Sequence, residues 1–155
     1  MGQKKLKGKL LTDNRQARFR YEIMETYEAG IALQGTEVKS IIAGRANIQD
    51  AYALIRRGEV WLFNAHISPF SQASQYFNHE PRRDRKLLLH RKEINKLVGK
   101  IEQKGLTLVP LKMYMSNNKV KVALGLARGK KIYDKREDVK RRDDQRAMRR
   151  ALKQY

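Results

Sequence analysis

The sequence predicts a mainly β protein whose antiparallel strands close into a small barrel with embedded helices. Apolar and polar residues alternate from Tyr21 to Leu33, and two later pairs of segments alternate in the same way around short turns. Only two segments within the predicted barrel have a clear helical character, and both lie between strands. Five or six antiparallel strands with a helix wedged between them can close into a barrel, which removes exposed edges.

Each predicted strand has a local signal. Gly30 interrupts the first strand and predicts a bulge or a bend. The next two strands, within DAYALIRRGEVWLFNA, form a hairpin that turns at Arg57–Gly58. The last two, LTLVPLKMYM and KVKVALGL, turn at Asn117–Asn118. Pro110 switches the alternation between the two faces, so we expect a bulge or an edge position there.

The two helices are marked by their ends. In TEVKSIIAG, Thr36 can accept hydrogen bonds from the free backbone amides of the first turn, and Gly44 suits a left-handed exit. The second helix, HRKEINKLVGKIEQKG, ends at Gly105. Its apolar residues recur at i, i+3, i+4 and i+7, namely Ile94, Leu97, Val98 and Ile101.

The charge of the chain indicates a polyanionic partner. There are 35 Lys and Arg against 16 Asp and Glu, a formal net charge of +19. Nucleic acid is the usual partner of such a chain, and an anionic membrane surface is the alternative. No apolar run is long enough to span a bilayer, no apolar signal segment follows the basic start, and there is no cysteine. We therefore expect a soluble cytoplasmic protein.

The chain divides into three predicted parts: a flexible basic arm (1–13), a barrel domain (14–130) and a basic tail (131–155). The tail has ten Lys or Arg and five Asp or Glu, a net charge of +5, and few large aliphatic residues. It cannot offset its own ordering entropy, so we expect it to be disordered in solution. Met148, Ala151, Leu152 and Tyr155 share one helical face, so the tail could become helical when a polyanion neutralises its arginines, or could lie on a lipid surface.

Candidate catalytic and metal sites are weak. The three histidines have no partner at a recognised metal-ligand spacing, and GLARGKK lacks the spacing of a phosphate-binding loop. A divalent ion for a nuclease would need converging carboxylates. The available acids, Glu22, Glu25, Glu28 and Glu37, are more often solvated or paired with Lys and Arg. We expect no enzymatic activity, no cofactor and no metal.

Basic clusters are the more informative feature of the sequence. Arg82, Arg83, Arg85 and Lys86 follow a long irregular segment that carries Tyr76 and Phe77. Such a set could combine phosphate contacts with stacking on an unpaired base. For a single cluster an ordinary solvated surface is the favoured interpretation. The several basic clusters of this chain, which include Lys130 and Lys131, together with the net charge of +19 favour RNA binding.

Three long stretches closely resemble one protein family. They are NRQARFRYEIMETYEAGIALQGTEVKSIIAGRANIQDAYALI, RKLLLHRKEINKLVGKIEQKGLTLVPLKMYM and VKVALGLARGKKIYDKRED, which run in order from about Asn14 to Arg142. They resemble the small protein B (SmpB) family, the bacterial tmRNA-binding partners of trans-translation. The resemblance implies a non-enzymatic protein with an oligonucleotide-binding (OB) type of β-barrel and embedded helices.

The resemblance also implies a mechanism and partners. The barrel would bind the tRNA-like domain of tmRNA, support its aminoacylation and fill the space of a missing anticodon arm. Elongation factor Tu would join the delivery complex to stalled ribosomes. The tail would enter the decoding centre and the empty message channel, contact 16S ribosomal RNA and fold into a helix there. We expect the protein itself to be a monomer.

Specific residues match the motifs of the family. The resemblance implies a tmRNA-binding set of Asn14, Arg15, Glu28, Leu88, His90, Lys130 and Lys131. Glu28 could accept hydrogen bonds from base amino groups or a 2′-hydroxyl, Leu88 could pack under an unstacked base, and His90 could donate or stack. The implied set for the decoding centre and message channel is Tyr133, Asp134, Lys135, Arg136, Lys140, Arg141, Arg142, Arg146, Arg149 and Arg150.

Two other functions compete with this interpretation. A ribosomal RNA-binding assembly protein would show no preference for tmRNA. A metal-dependent RNase would cleave RNA in a reaction that a chelator abolishes. The adaptor alone predicts tight binding of the tRNA-like domain by the barrel without the tail.

Overall fold

The computed structural model describes residues 8–129 together with residues 142, 145, 146 and 148. In that part of the chain the strands are β1 (Lys9–Asp13), β2 (Tyr21–Ile31), β3 (Ala46–Asn47), β4 (Tyr52–Arg56), β5 (Glu59–Phe63), β6 (His66–Ile67), β7 (Arg85–Leu88), β8 (Thr107–Ser116) and β9 (Lys119–Gly129). The helices of residues 8–129 are α1 (Arg15–Arg20), α2 (Gly35–Ile42) and α3 (Arg91–Lys104). No helix among the described residues combines the length and the apolar character needed to cross a membrane.

The larger sheet closes on itself. Its strands follow the order β1-β8-β4-β5-β7-β2-β9, all pairings are antiparallel, and β9 also pairs with β8. Strands β8, β4, β5, β7, β2 and β9 therefore form a closed ring, which confirms the predicted antiparallel, mainly β fold. Strand β1 pairs with β8 beyond the point where β4 meets it, so Lys9–Asp13, from the predicted arm, lie in the sheet.

The core fills the barrel and continues under the helices. Val60, Leu62, Leu108 and Leu124 are buried inside it, and Ile94 and Leu97 of α3 belong to the same cluster. A smaller cluster outside the barrel contains Ala17, Val109 and Ala127, with Tyr21 and Ile23 packed against it. This second cluster fixes α1 to the outer surface of β2, β8 and β9.

The predicted turns and one predicted bulge are confirmed. The hairpin residues Arg57 and Gly58 have φ of 53° and 75°, and Asn117 and Asn118 have φ of 51° and 61°. These positive values match the twist of tight two-residue hairpin turns. The register of β8 against β9 shifts between Pro110 and Lys112, as the altered alternation predicts.

The start of α2 corrects one expectation. Its N-cap is Gln34 rather than Thr36, because the Gln34 backbone N–H donates to Glu37 Oε1 at 2.8 Å. The Thr36 hydroxyl instead pairs with Nδ1 of His79 at 2.9 Å. The exit at Gly44 is confirmed by its φ of 77°.

The position of the bulge in β2 corrects the expectation that it lies at Gly30. The register of β2 against β9 shifts between Ile23 and Glu25, not at Gly30. Gly30 has a different role, because a Cβ atom there would lie only 3.2 Å from Cβ of Leu88 on β7. Because Gly30 has no side chain, Leu88 of β7 can pack closely against the backbone of β2 at this position.

Candidate nucleic-acid interface

An open groove crosses the outer surface of the barrel. It is lined by β2, the end of β7, the first turn of α3 and the facing parts of β8 and β9. Four of the residues implied by the family resemblance, Asn14, Glu28, Leu88 and His90, line this groove. Arg15 is exposed in the first turn of α1, next to Asn14. Residues far apart in the sequence thus meet on one surface.

The register of β2 places Glu28 and Leu88 side by side. Gly30 pairs with Leu88, and Glu28 lies two residues before Gly30, on the same face of the strand. Leu87 points into the core and is buried, whereas Leu88 is 51% exposed. An exposed leucine beside an exposed carboxylate provides one apolar and one hydrogen-bond-accepting surface within reach of a single nucleotide.

Glu28 has no cationic partner among the described residues. Within the described residues no Lys or Arg forms an ion pair with it, although other acids nearby are engaged: Glu25 with Lys100 at 2.5 Å, and Glu22 with Arg128. Its carboxylate can therefore accept hydrogen bonds from a ligand without breaking an ion pair among the described residues.

Tyr114 lies beneath this carboxylate. The residue is only 2% exposed, and its hydroxyl makes no hydrogen bond of ordinary geometry with the described residues. Burial is the main cause that raises the pKa of Tyr114, and the negative charge of Glu28 raises it further. The hydroxyl therefore keeps its proton and remains a neutral donor close to Glu28.

His90 occupies the N-cap of α3. Its ring is exposed at the entrance of the helix, and Glu93 Oε1 accepts a hydrogen bond from the His90 backbone N–H at 3.4 Å. The capping position fixes the backbone from which the ring projects into the groove. The ring can donate a hydrogen bond or stack there, as the resemblance implies.

Three lysines complete the groove, and the sequence analysis missed them. Lys112, Lys119 and Lys121 all line it. Lys112 Nζ lies 5.8 Å from the ring centroid of Tyr114. The alternation in KVKV carried a usable signal, because Val120 and Val122 point into the core and the intervening lysine must point outward. These ammonium groups can bind phosphate around the apolar and acidic centre.

Asn14 is buried and connects the start of α1 to neighbouring backbone through hydrogen bonds. It is 4% exposed, and its Nδ2 donates to the carbonyls of Pro110 at 2.8 Å and Ile48 at 3.2 Å. Its backbone N–H donates to the Leu111 carbonyl at 2.8 Å. These bonds fix the start of α1 to the bulge in β8. The implied contact between Asn14 and RNA stays a prediction, and in this structure its amide nitrogen is engaged by backbone carbonyls.

The basic cluster after the long loop is mostly engaged internally. Arg85 is fully buried and its Nε donates to Glu37, while Arg83 Nη2 donates to the same carboxylate at 2.5 Å. Lys86 pairs with Glu59 at 2.8 Å. Arg82 is the exposed member of this cluster, and its Nη1 donates to Asn64 Oδ1 at 2.6 Å. Arg83 and Arg85 are therefore neutralised by Glu37, and Arg82 is the member of this cluster with no ion pair among the described residues.

The acids that a nuclease would need are similarly engaged. Glu22, Glu25 and Glu37 each pair with an arginine or a lysine. In the described part of the chain no group of three or more His, Cys, Asp or Glu side chains is arranged to bind a metal ion.

Most of the predicted tail contacts lie outside the described residues. These are Lys130, Lys131, Tyr133, Asp134, Lys135, Arg136, Lys140, Arg141, Arg149 and Arg150. Arg146 is described and is exposed. The guanidinium carbon of Arg142 lies 5.0 Å from the ring centroid of Phe19 on α1, a cation–π contact between the tail and the barrel.

Known proteins resemble this chain over most of its length. The family model described as SmpB protein matches residues 11–154. An SsrA-binding protein of Gloeothece citriformis (strain PCC 7424) is 70% identical over 149 residues, which cover 96% of each chain. An SsrA-binding protein of Synechocystis sp. is 64% identical over 153 residues, which cover 99% of each chain.

A solved structure gives the same result for the fold. It is described as "tmRNA-SmpB: a journey to the center of the bacterial ribosome" and is 56% identical in sequence, with a TM-score of 0.65. The match covers 78% of this chain and 85% of that one. With a family model that spans nearly the whole sequence and relatives of this identity, the chain belongs to the SmpB protein family.

Proposed function

We propose that this protein is a non-enzymatic adaptor of trans-translation, which binds the tRNA-like domain of tmRNA and brings it to stalled ribosomes. The observation that carries the proposal is the groove, where Glu28, Leu88 and His90 meet on one surface although they come from two strands and a helix cap. Support comes from the SsrA-binding relatives and from the tmRNA-SmpB structure.

The groove recognises RNA by combining three kinds of contact. Lys112, Lys119 and Lys121 bind phosphates, which provides affinity but little selectivity. Leu88 packs against an unstacked base, and His90 stacks or donates a hydrogen bond. Glu28 repels phosphate and accepts hydrogen bonds, so it favours RNA that presents a donor at that point over any other polyanion.

The tail acts on the ribosome. Its motif of Tyr133, Asp134, Lys135 and Arg136 enters the decoding centre, and the arginines that follow bind 16S ribosomal RNA along the empty message channel, where the tail becomes helical. The contact between Arg142 and Phe19 joins this part of the tail to α1. That contact must break before Arg142 reaches the message channel.

The remaining parts of the proposal concern partners and place of action. The barrel (14–130) carries the tmRNA site and the tail (131–155) carries the ribosome site. The protein works as a monomer in the cytoplasm, together with elongation factor Tu in the delivery complex. It binds RNA and catalyses no reaction.

An assembly protein for ribosomal RNA is the second candidate. The net charge of +19 fits it equally well. The acids that line the groove, Glu28 among them, favour the adaptor instead, because carboxylates weaken indiscriminate binding to phosphate.

Replacing Glu28 by alanine tests the proposal. We expect Glu28→Ala to weaken binding of the tRNA-like domain about 10-fold or more, since hydrogen bonds to a charged group contribute about 1.5–3 kcal/mol. The measurement is fluorescence anisotropy at physiological salt, with circular dichroism to verify the fold.

Glu102→Ala is the matched control. Glu102 is an exposed acid on α3 that does not line the groove, so its removal changes the net charge equally. If Glu28→Ala binds the RNA as tightly as Glu102→Ala does, Glu28 does not belong to the RNA site and the proposed groove is incorrect.

A further inference from the structure

The long loop between β6 and β7 exposes two adjacent aromatic rings. Tyr76 is 95% exposed and Phe77 is 81% exposed, more than any other large apolar side chain among the described residues. Neither residue lines the groove. Exposing two neighbouring rings is unfavourable in water, so a pair of this kind indicates a contact surface.

The segment that carries the rings is held in a defined shape. The Asn78 side chain forms two hydrogen bonds with the backbone of Phe70: Oδ1 accepts from the N–H at 3.0 Å, and Nδ2 donates to the carbonyl at 2.9 Å. Two turns lie between them, with Ala73 N–H donating to the Phe70 carbonyl and Phe77 N–H to the Ser74 carbonyl, each at 3.1 Å. The rings therefore project from a closed loop rather than a loose one.

The base of the loop is fixed by buried polar groups. His79 is buried, with Nε2 donating to the Ile67 carbonyl at 2.8 Å and Nδ1 paired with the Thr36 hydroxyl. Arg85 donates to the carbonyls of Glu80 at 3.3 Å and Pro81 at 3.1 Å. This arrangement reduces the entropy lost when the rings bind a partner.

The surroundings of the rings favour RNA over protein. Their neighbours Ser74, Gln75 and Asn78 are polar, so the apolar patch is far smaller than the ~1,000 Å² that a stable protein interface buries. Exposed cations, namely Lys39, Arg45 and Arg82, lie around the base of the loop and outnumber the exposed acids Glu80 and Asp84. Flat rings flanked by cations suit unpaired bases, whose faces stack on aromatic side chains.

The loop is continuous with the groove through β7. Arg85 at one end of this strand anchors the loop, and Leu88 at the other end lies in the groove. Leu88 is three positions after Arg85, a distance of about 10 Å along the strand. The base of the loop and the groove therefore lie at the two ends of one short strand.

We propose that Tyr76 and Phe77 form a second contact for the tRNA-like RNA, at which unpaired bases stack. The inference rests on the proposed function, because it takes the RNA in the groove as the ligand. Stacking is sequence-tolerant and uncharged, so this contact adds affinity without adding ionic character.

The test uses the full chain and a transcript of the tRNA-like domain of tmRNA. The double substitution Tyr76→Ser with Phe77→Ser is expected to lower affinity about 10- to 100-fold, from the usual contribution of each stacked base. The slope of log K against log salt is expected to stay unchanged, because no phosphate contact is lost. Leu54→Ser is the control, since Leu54 is an exposed apolar residue of β4 outside the groove and the loop.

A second variant gives a direct signal. Tyr76→Trp retains a stacking ring, so we expect it to bind like the parent and to lose tryptophan fluorescence when RNA is added, relative to the parent with Trp61 alone. The inference is overturned if the serine variant binds the RNA with unchanged affinity and the tryptophan variant shows no quenching. A loss of ribosome binding by the serine variant would not rescue it, because the proposed ligand of the rings is the tRNA-like RNA. If Glu28→Ala still weakens RNA binding in that case, the proposed function stands without this contact.

Discussion

At the scale of single residues, Glu37 connects three parts of the molecule. Its buried carboxylate accepts hydrogen bonds from Arg83, Arg85 and the backbone N–H of Gln34. Burial raises the pKa of Glu37, but these donors outweigh burial and keep the pKa below its usual value. Burial lowers the pKa of Arg85, and Glu37 opposes that effect. The ion pair therefore holds the start of β7 and the base of the long loop against α2.

Neutralising Glu37 is expected to destabilise the fold strongly. Glu37→Gln leaves Arg85 buried without its counter-charge, which costs about 3–5 kcal/mol in the free energy of unfolding. Urea denaturation measures this loss. Glu59→Gln is the control, because the half-exposed pair of Glu59 with Lys86 contributes only about 0–1 kcal/mol. Equal losses in the two variants would contradict the role of Glu37.

The same carboxylate gives the stability a pH dependence. A depressed pKa in the folded state contributes stability above the unfolded pKa of about 4.3, and the contribution disappears as pH falls through the lower folded value. Glu25, whose pKa is lowered mainly by Lys100, acts in the same direction. The parent should lose stability below about pH 4, and Glu37→Gln should lose less over that range.

Sequence patterns could predict only part of this chemistry. Glu28, Leu88 and His90 follow from the resemblance, and the structure brings them together in one groove. The four neighbouring basic residues after the loop gave no sign of which would be buried. Glu37 lies 48 residues before Arg85, so their pairing depends on how α2 packs on the sheet.

At the scale of elements, β1 covers an edge of the barrel. Leu10 pairs with Tyr114 of β8 on the side that β4 leaves free. The sequence predicted a flexible arm here because basic residues dominate the start of the chain. Strand β1 instead pairs with the backbone groups of β8 that β4 leaves free. Turns were easier to predict, since Asn and Gly at Asn117–Asn118 and Gly58 favour positive φ locally.

Gly8 limits how β1 lies on β8. A Cβ atom at this position would lie 2.1 Å from the backbone oxygen of Met115, so Gly8→Ala must displace the strand. We expect faster hydrogen exchange in the part of β8 that faces β1, with a loss of about 1–3 kcal/mol of stability.

Gly99→Ala is the matched control for this change. Gly99 lies within α3 with no atom within 4 Å of its would-be Cβ, so alanine should raise stability by about 0.5–1 kcal/mol. Equal exchange rates in β8 for both variants would show that β1 does not protect this edge.

At the scale of the whole molecule, we propose separate tasks for the barrel and the tail. The described barrel closes on itself through β8 and β9 and carries the complete groove. Alternation and caps predicted the order of β2, α2, the β4–β5 hairpin, α3 and the β8–β9 hairpin, but not α1 or the short strands β1, β3, β6 and β7. The groove was not predictable from periodicity, since it forms only where β2, β7 and α3 meet.

The most direct test of this account compares the full chain with a version that ends at Gly129. Both are titrated with the tRNA-like domain of tmRNA over a salt series, with tRNA as competitor. We predict that both bind tightly and prefer tmRNA at physiological salt, and that only the full chain supports peptide tagging on stalled ribosomes. Loss of binding in the shortened chain, or loss of the preference for tmRNA with added salt, would show instead that the affinity arises from non-specific attraction between a polycation and RNA.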